Sequence, residues 1–368
     1  MNEVQTAIRQ TGLPQEQSVL PSSLAYIVAA KLKLPTPTAE PQVEYTLFQQ
    51  RNRIVMIDCG FLKQSRNVIA QFFLRRNESR FAFAVVSRSL RPRLRNFMVA
   101  GEDLGLPLAI LDRFFPSHAS YYIITHGSYM ASPKFKFLMK LLRSRLNLHF
   151  LCLSESIRQA LVDEFGLSPE QVHNTGYGID THFFQPVEQS SSPVIVSAGT
   201  ASRDYKTLVE AVLPLQVPLK IAADSAWFPM RVNLDKSQLP AFIEVRSAGN
   251  YEGLRKLYAE ASFVVVPLQK VKHACGYAVI GEAMAMGKPV IATRTLSVSD
   301  FIIEGETGYL VEPGDVEGLR AKIEYLLNHP EETKRMGQKA RQLIEAEFSV
   351  EAYCAKMEAV IKANANRE

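Results

Sequence analysis

Between residues 194 and 328, short apolar runs alternate with amphipathic stretches, and this alternation restricts the chain to a parallel-sheet α/β fold. Val194–Ala198, Leu219–Ala223, Ile243–Ser247, Phe263–Pro267 and Pro289–Thr293 read as strands. Tyr205–Val212, Tyr251–Ala261, Tyr277–Met286 and Val316–Asn328 read as helices. Parallel strands cannot be joined by a hairpin; each crossover needs about a dozen residues or more and is usually helical. The segment therefore reads as a doubly wound α/β domain, followed by helical stretches near Glu331–Glu347 and Val350–Lys362.

The first half shows the same rhythm less regularly. Arg53–Asp58, Phe81–Val86, Tyr121–Thr125 and His149–Leu153 read as strands, and Gln64–Arg75, Lys134–Leu146 and Glu155–Glu164 as helices. Residues 1–45, interrupted by Pro14, Pro21, Pro35, Pro37 and Pro41, read as an irregular lead. A polar stretch between Phe183 and Pro193 reads as a linker. A chain of 368 residues, at roughly 100–200 residues per domain, then divides into an N-terminal domain (1–185), a C-terminal domain (186–349) and a last helical segment (350–368).

Several function classes lose support. The sequence has no GxGxxG, GxxxxGK[ST] or GxSxG motif, no Asp-x-Asp pair and no metal-ligand spacing, which argues against a dehydrogenase, a P-loop NTPase, a serine hydrolase and a bound metal. Cys59, Cys152, Cys275 and Cys354 are scattered, as expected of reduced thiols in a cytoplasmic protein. The polar start is unlike a secretory signal, and the early apolar run Leu24–Ala30 is far shorter than the ~20 residues of a spanning helix.

Charge is unevenly spread. Residues 51–150 hold 17 Lys and Arg against 5 Asp and Glu, whereas residues 151–368 hold 22 against 28. The first half is thus expected to meet an anionic partner. Nucleic acid is disfavoured, since no module interleaving basic and aromatic residues is seen. Within Lys134–Leu146, Lys136, Lys140 and Arg143 share one side of the expected helix. Phe135, Leu138, Met139, Leu141, Leu142 and Leu146 spread over the other. The pattern suits peripheral attachment to an anionic membrane surface, and equally a helix packed on the sheet with a solvated basic edge.

Ligands of open parallel sheets bind at the carboxyl ends of strands, so three strand-end segments are candidates. After Phe263–Pro267 the chain enters a helix through Gly276 and Tyr277, where unpaired amides suit a phosphate. Glu282 lies about one and two-thirds turns further on, where a carboxylate accepts hydrogen bonds from ribose hydroxyls; the spacing also describes a glycine-started helix with a solvated glutamate. After Val194–Ala198 comes Gly199–Arg203, in which Arg203, with Lys206 one turn on, either pairs with a phosphate or is a solvated helix start. His126, at the end of Tyr121–Thr125, is placed for proton transfer or for holding a substrate hydroxyl, or is a polar loop residue. The remaining histidines have no company that suggests chemistry.

Glu282-Ala-Met-Ala-Met-Gly-Lys-Pro-Val-Ile-Ala292, Glu304-Gly-Glu-Thr-Gly-Tyr-Leu-Val311 and Pro313-Gly-Asp315 resemble the donor domain of GT-B glycosyltransferases of family 4. Ser154–Arg158, Gly178–Thr181 with Phe184 and Pro186, and Arg203–Ala211 extend the resemblance over residues 151–355. It implies two Rossmann-like domains facing a central cleft, the last helix crossing back onto the first domain. It implies a retaining transfer from a nucleotide-sugar donor to a sugar or lipid acceptor, with no cofactor and no obligatory metal. By position, Gly276, Tyr277 and Ala278 would cradle the diphosphate, Glu282 would bind the ribose, and Arg203 would stand for a phosphate-binding lysine. His126 matches a histidine near the transferred sugar. Two positions depart from the pattern: Ala274 replaces a sugar-contacting glutamate, with His273 adjacent as a possible substitute, and Thr200 replaces an arginine. The glycine-rich N-terminal loop has only Gly60. A non-catalytic nucleotide-sugar-binding subunit and a nucleotide-sugar epimerase are the competing classes.

Overall fold

A computed structural model describes residues 20, 24–29, 40–52, 54–90, 94–187, 193–223, 239–271, 275–295, 298 and 300–365. The chain forms two units. One comprises Met1–Leu34, Glu44–Gly176 and Tyr353–Glu368, the other Pro35–Val43 and Tyr177–Ala352.

The first unit is built on six parallel strands, β1 (Leu24–Ile27), β2 (Val55–Ile57), β3 (Asn96–Val99), β4 (Ser120–Thr125), β5 (Leu148–Cys152) and β6 (Val172–Asn174), in the order β2-β1-β3-β4-β5-β6. Its helices are α1 (Glu44–Arg51), α2 (Cys59–Gln64), α3 (Val68–Arg75), α4 (Ser79–Leu90), α5 (Glu102–Phe114), α6 (Pro133–Leu142) and α7 (Glu155–Asp163). Asp58, Asn67 and Ser154 cap α2, α3 and α7 by accepting the amides of Phe61, Ala70 and Ile157, as short polar side chains do at helix starts.

Four expectations fail here. Residues 24–27 are a fully buried inner strand, not part of an irregular lead; prolines on either side hid a run of only four residues. Phe81–Val86 is helical, within α4, because Ala82, Phe83, Val86, Ser87 and Leu90 bury one helical face. The strand expected there is instead Asn96–Val99. Gln64–Arg75 divides into α2 and α3, since Asn67 starts a new helix, and the helix expected over Lys134–Leu146 ends at Leu142.

The second unit repeats the plan with β7 (Ile195–Ala198), β8 (Leu219–Ala222), β9 (Ile243–Arg246), β10 (Phe263–Val266), β11 (Val290–Thr293) and β12 (Gly308–Val311), in the order β12-β11-β10-β7-β8-β9. Renumbered within the unit this is 3-2-1-4-5-6, the dinucleotide-binding order, whose reversal lies between β7 and β10. The helices are α8 (Tyr205–Val212), α9 (Tyr251–Glu260), α10 (Tyr277–Ala285), α11 (Val316–Asn328), α12 (Pro330–Leu343) and α13 (Val350–Ala365). Ile195, Leu208, Val212, Phe263, Val265, Ile291, Ile323 and Met336 are buried in one core; each contributes about 1.5–3 kcal/mol by leaving water. From Tyr353 on, α13 belongs to the first unit, where Glu358 accepts from Arg51 and Asn52 at 3.0 Å each.

Much of the family-like sequence is scaffold. The Asp180 carboxylate accepts the amides of Gln42, His182 and Phe183. Glu304 accepts the Leu310 amide at 2.9 Å, fixing the turn into β12. Lys288 is buried and donates to the carbonyls of Ala259 and Ala261, capping the end of α9; burial lowers its pKa to about 8.

Candidate functional site

In the second unit the loops after β7 and β10 lie side by side because those strands pair. They are stitched together. Asp204 donates its amide to the Pro267 carbonyl at 3.0 Å, Gln269 donates to Ser202 at 2.9 Å, and Arg203 forms a bridge with Leu268. Topology thus brings Arg203 towards the start of α10, although about 70 residues of sequence separate them.

Arg203 folds back into its own loop. Its Nε donates to Ala198 O at 2.9 Å and its Nη1 to Ala201 O at 2.8 Å. A Cβ on Gly199 would stand 2.6 Å from Nη2, so that glycine, at φ +94°, is what lets the guanidinium tuck in. Two of its five donors are spent on carbonyls, which leaves donors on both Nη1 and Nη2 without a carbonyl partner.

Gly276 precedes α10 at φ +85° with no side-chain cap, so the helix starts on bare amides. The left-handed conformation favours glycine, and an open helix start concentrates partial positive charge. Tyr277 is buried and stacked against Tyr177 and Phe301 at centroid distances of 6.0 and 5.3 Å, which fixes the entry of the helix. Ala278 follows in the first turn. Nearly all of α10 is buried, and Gly281 has no room for a Cβ, which would meet Ile179 at 2.5 Å.

Glu282, on the second turn, is 7 % exposed. Burial pushes its carboxyl up to about 7, against the pull of the Tyr258 hydroxyl and the Arg203 charge. Tyr258 donates to Oε2 at 2.9 Å from α9. No spacing in the sequence marked Tyr258, because its role depends on α9 packing beside α10. Lys206 stands elsewhere. It is turned to solvent on α8, its ammonium 3.9 Å from Glu210. His273 and Ala274 lie outside the described residues.

In the first unit, His126 follows β4 and its Nε2 is 3.4 Å from Ala100 O. Gly127 turns the chain at φ +72° and donates its amide to Glu102 Oε1 at 2.7 Å. Glu102, buried at the first position of α5, also accepts from the His126 backbone. Burial raises the Glu102 carboxyl, opposed by the His126 charge and these amides. Sequence reading missed Glu102; an acidic residue at a helix start is too common to stand out. It also left His149 and His173 without company, yet their ring nitrogens meet at 3.4 Å across β5 and β6.

Residues 179–343 match the family described as Glycosyl transferases group 1. The MMP alpha-(1->4)-mannosyltransferase of Mycolicibacterium hassiacum is 28 % identical over 222 residues, which is 57 % of this chain and 53 % of that protein. The chain spans about half the length of the curated relatives it matches. A glycosyltransferase structure from Rickettsia africae matches with a TM-score of 0.71 at 16 % identity, over 94 % of this chain and 99 % of that one. HepE of Anabaena, solved in complex with UDP-glucose, matches with a TM-score of 0.65 at 14 % identity, over 92 % of this chain and 99 % of its own. The two α/β units have the GT-B fold.

Proposed function

We propose that the chain, whose residues 179–343 match the glycosyl transferases group 1 family, transfers a sugar from a nucleotide-sugar donor to an acceptor, with retention at the anomeric carbon. One observation carries the donor half: the uncapped start of α10 behind Gly276, with Glu282 buried one turn deeper and Arg203 folded towards the same strand ends. The amides of Tyr277 and Ala278 and the Arg203 edge would neutralise a diphosphate, and Glu282 would accept the ribose hydroxyls. In this reading no metal is obligatory, and turnover is expected to survive chelation by EDTA. The solved HepE complex with UDP-glucose supports a nucleotide-sugar as the class of donor. His126, held by Glu102 through the backbone, is assigned a substrate contact in the first unit.

The acceptor is proposed to be a lipid or lipid-linked sugar met at a cytoplasmic membrane surface. On α6, Phe135, Met139 and Leu142 are buried, as the packed-helix alternative expects, so only the solvent-facing edge of Lys134, Lys136, Phe137 and Lys140, with Arg143 at its end, is offered to a membrane. Leu146, expected among the apolar group, is exposed as well. No helix among the described residues is long and apolar enough to cross a membrane. A second reading, a nucleotide-sugar-binding protein without turnover, is favoured by Thr200, which is buried where the family often has an arginine.

A panel of nucleotide-sugars, with and without membrane lipids, separates the two. Acceptor-dependent release of nucleoside diphosphate supports transfer. Binding without turnover supports the second reading, and a changed sugar without acceptor contradicts both.

A further inference from the structure

The apolar side chains most open to solvent on the α3–α4 pair form one surface. Val68 is 81 %, Ile69 60 % and Phe72 49 % exposed on α3, and Phe81 is 46 % exposed on α4. α3 buries only Ala70. Residues 68, 69 and 72 are spaced so that they share a helical side, and that side faces outward. The patch is continuous: the ring centroids of Phe72 and Phe73 are 5.6 Å apart and those of Phe73 and Phe81 5.5 Å.

Cations border it. Arg76 lies 4.5 Å over the Phe72 ring, and Lys63, Arg66, Arg75 and Arg80 are exposed around it. Between residues 59 and 90 six Lys and Arg stand against Glu78 alone. Arg88 falls seven residues after Phe81, on the same side of α4, and lies 4.7 Å over Phe115, next to exposed Phe114. Aromatic and β-branched tips ringed by arginines, with almost no acid among them, complement a surface with anionic headgroups outside and acyl chains within.

We propose that the outward face of α3 and α4 is a membrane-docking surface, with Val68, Ile69, Phe72 and Phe81 entering the headgroup–acyl boundary of an anionic bilayer. The proposal rests on the peripheral-membrane reading above and names the surface that carries it.

The test is flotation of the full chain with phosphatidylcholine vesicles, with and without phosphatidylglycerol, at low and high salt. The Ile69→Ser/Phe72→Ser pair is expected to bind anionic vesicles about tenfold more weakly at either salt. The Arg75→Ser/Arg76→Ser/Arg80→Ser triple is expected to lose mainly the salt-sensitive part. Titration with nucleoside diphosphates checks that both variants remain folded. Phe72→Trp, in a Trp227→Phe background, is expected to be quenched by lipids brominated on their acyl chains. Equal binding by the wild type and the Ile69/Phe72 pair, with loss in Lys136→Ser/Phe137→Ser on α6, would overturn this surface and leave the peripheral reading intact. No binding by the wild type to anionic vesicles overturns both. A defined dimer that disappears in the Ile69/Phe72 pair overturns the lipid occupant in favour of a second copy.

Discussion

Both units place a helix start at the carboxyl edge of a parallel sheet, beside the point where strand order reverses, yet the two starts are occupied differently. In the first unit, α5 follows β3 and likewise starts on a glycine without a side-chain cap bond, Gly101, but the carboxylate of Glu102 at its first position takes its own amide and those of His126 and Gly127. In the second, α10 follows β10 and starts on Gly276 with no side-chain cap. The helix's own carboxylate, Glu282, sits one turn deeper and is engaged by Tyr258. A helix start already holding an anion has little left for a phosphate; one left open with an arginine nearby suits one. The proposed function accordingly puts the diphosphate in the second unit, while the first holds a histidine loop.

The largest effect expected from this difference is on stability. The Glu282 carboxyl is raised in the folded state to about 7, so folding favours its protonated form. Its contribution is full below the ordinary carboxylate range and is lost as pH rises through about 7. Denaturant unfolding at acidic and at slightly alkaline pH should show the wild type losing on the order of 3 kcal/mol relative to Glu282→Gln. An unchanged difference between the two proteins would remove the buried carboxyl from the account.

Next in size is Glu282→Ala, which should weaken binding of a nucleoside diphosphate by about 10- to 100-fold in calorimetry, from loss of the carboxyl acceptor for ribose hydroxyls. In the first unit, Glu102→Ala should lower turnover about tenfold through misplacement of His126, with nucleotide affinity unchanged and Glu102→Gln intermediate; equal losses of affinity would erase the contrast between the units. The smallest effect is expected of Lys206→Ala. A solvent-facing partner of Glu210 should change stability by no more than about 0.5 kcal/mol and leave affinity as it was.

How much of this was legible follows from how each feature is encoded. In the second unit β7, β10 and β11 are buried throughout and read as nearly unbroken apolar runs, while the edge strand β9 alternates; Gly276 and Glu282 lie on one helix, so their proximity follows from local spacing. In the first unit, Phe81–Val86 is a short apolar run whose length does not distinguish strand from helix. The Leu24–Ile27 strand is too short to stand out between prolines. Tyr258 and Glu102 act through neighbours brought by tertiary packing, and no local pattern records that. The docking face of α3 shows the converse: its apolar residues are visible in sequence, but only exposure tells them from core.

Amide hydrogen exchange with and without a panel of nucleoside diphosphates tests most directly which helix start takes the phosphates. Protection is expected in peptides spanning residues 199–206 and 276–283, and none in those spanning 100–127. Protection confined to residues 100–127, with the α10 start unchanged, would contradict this expectation.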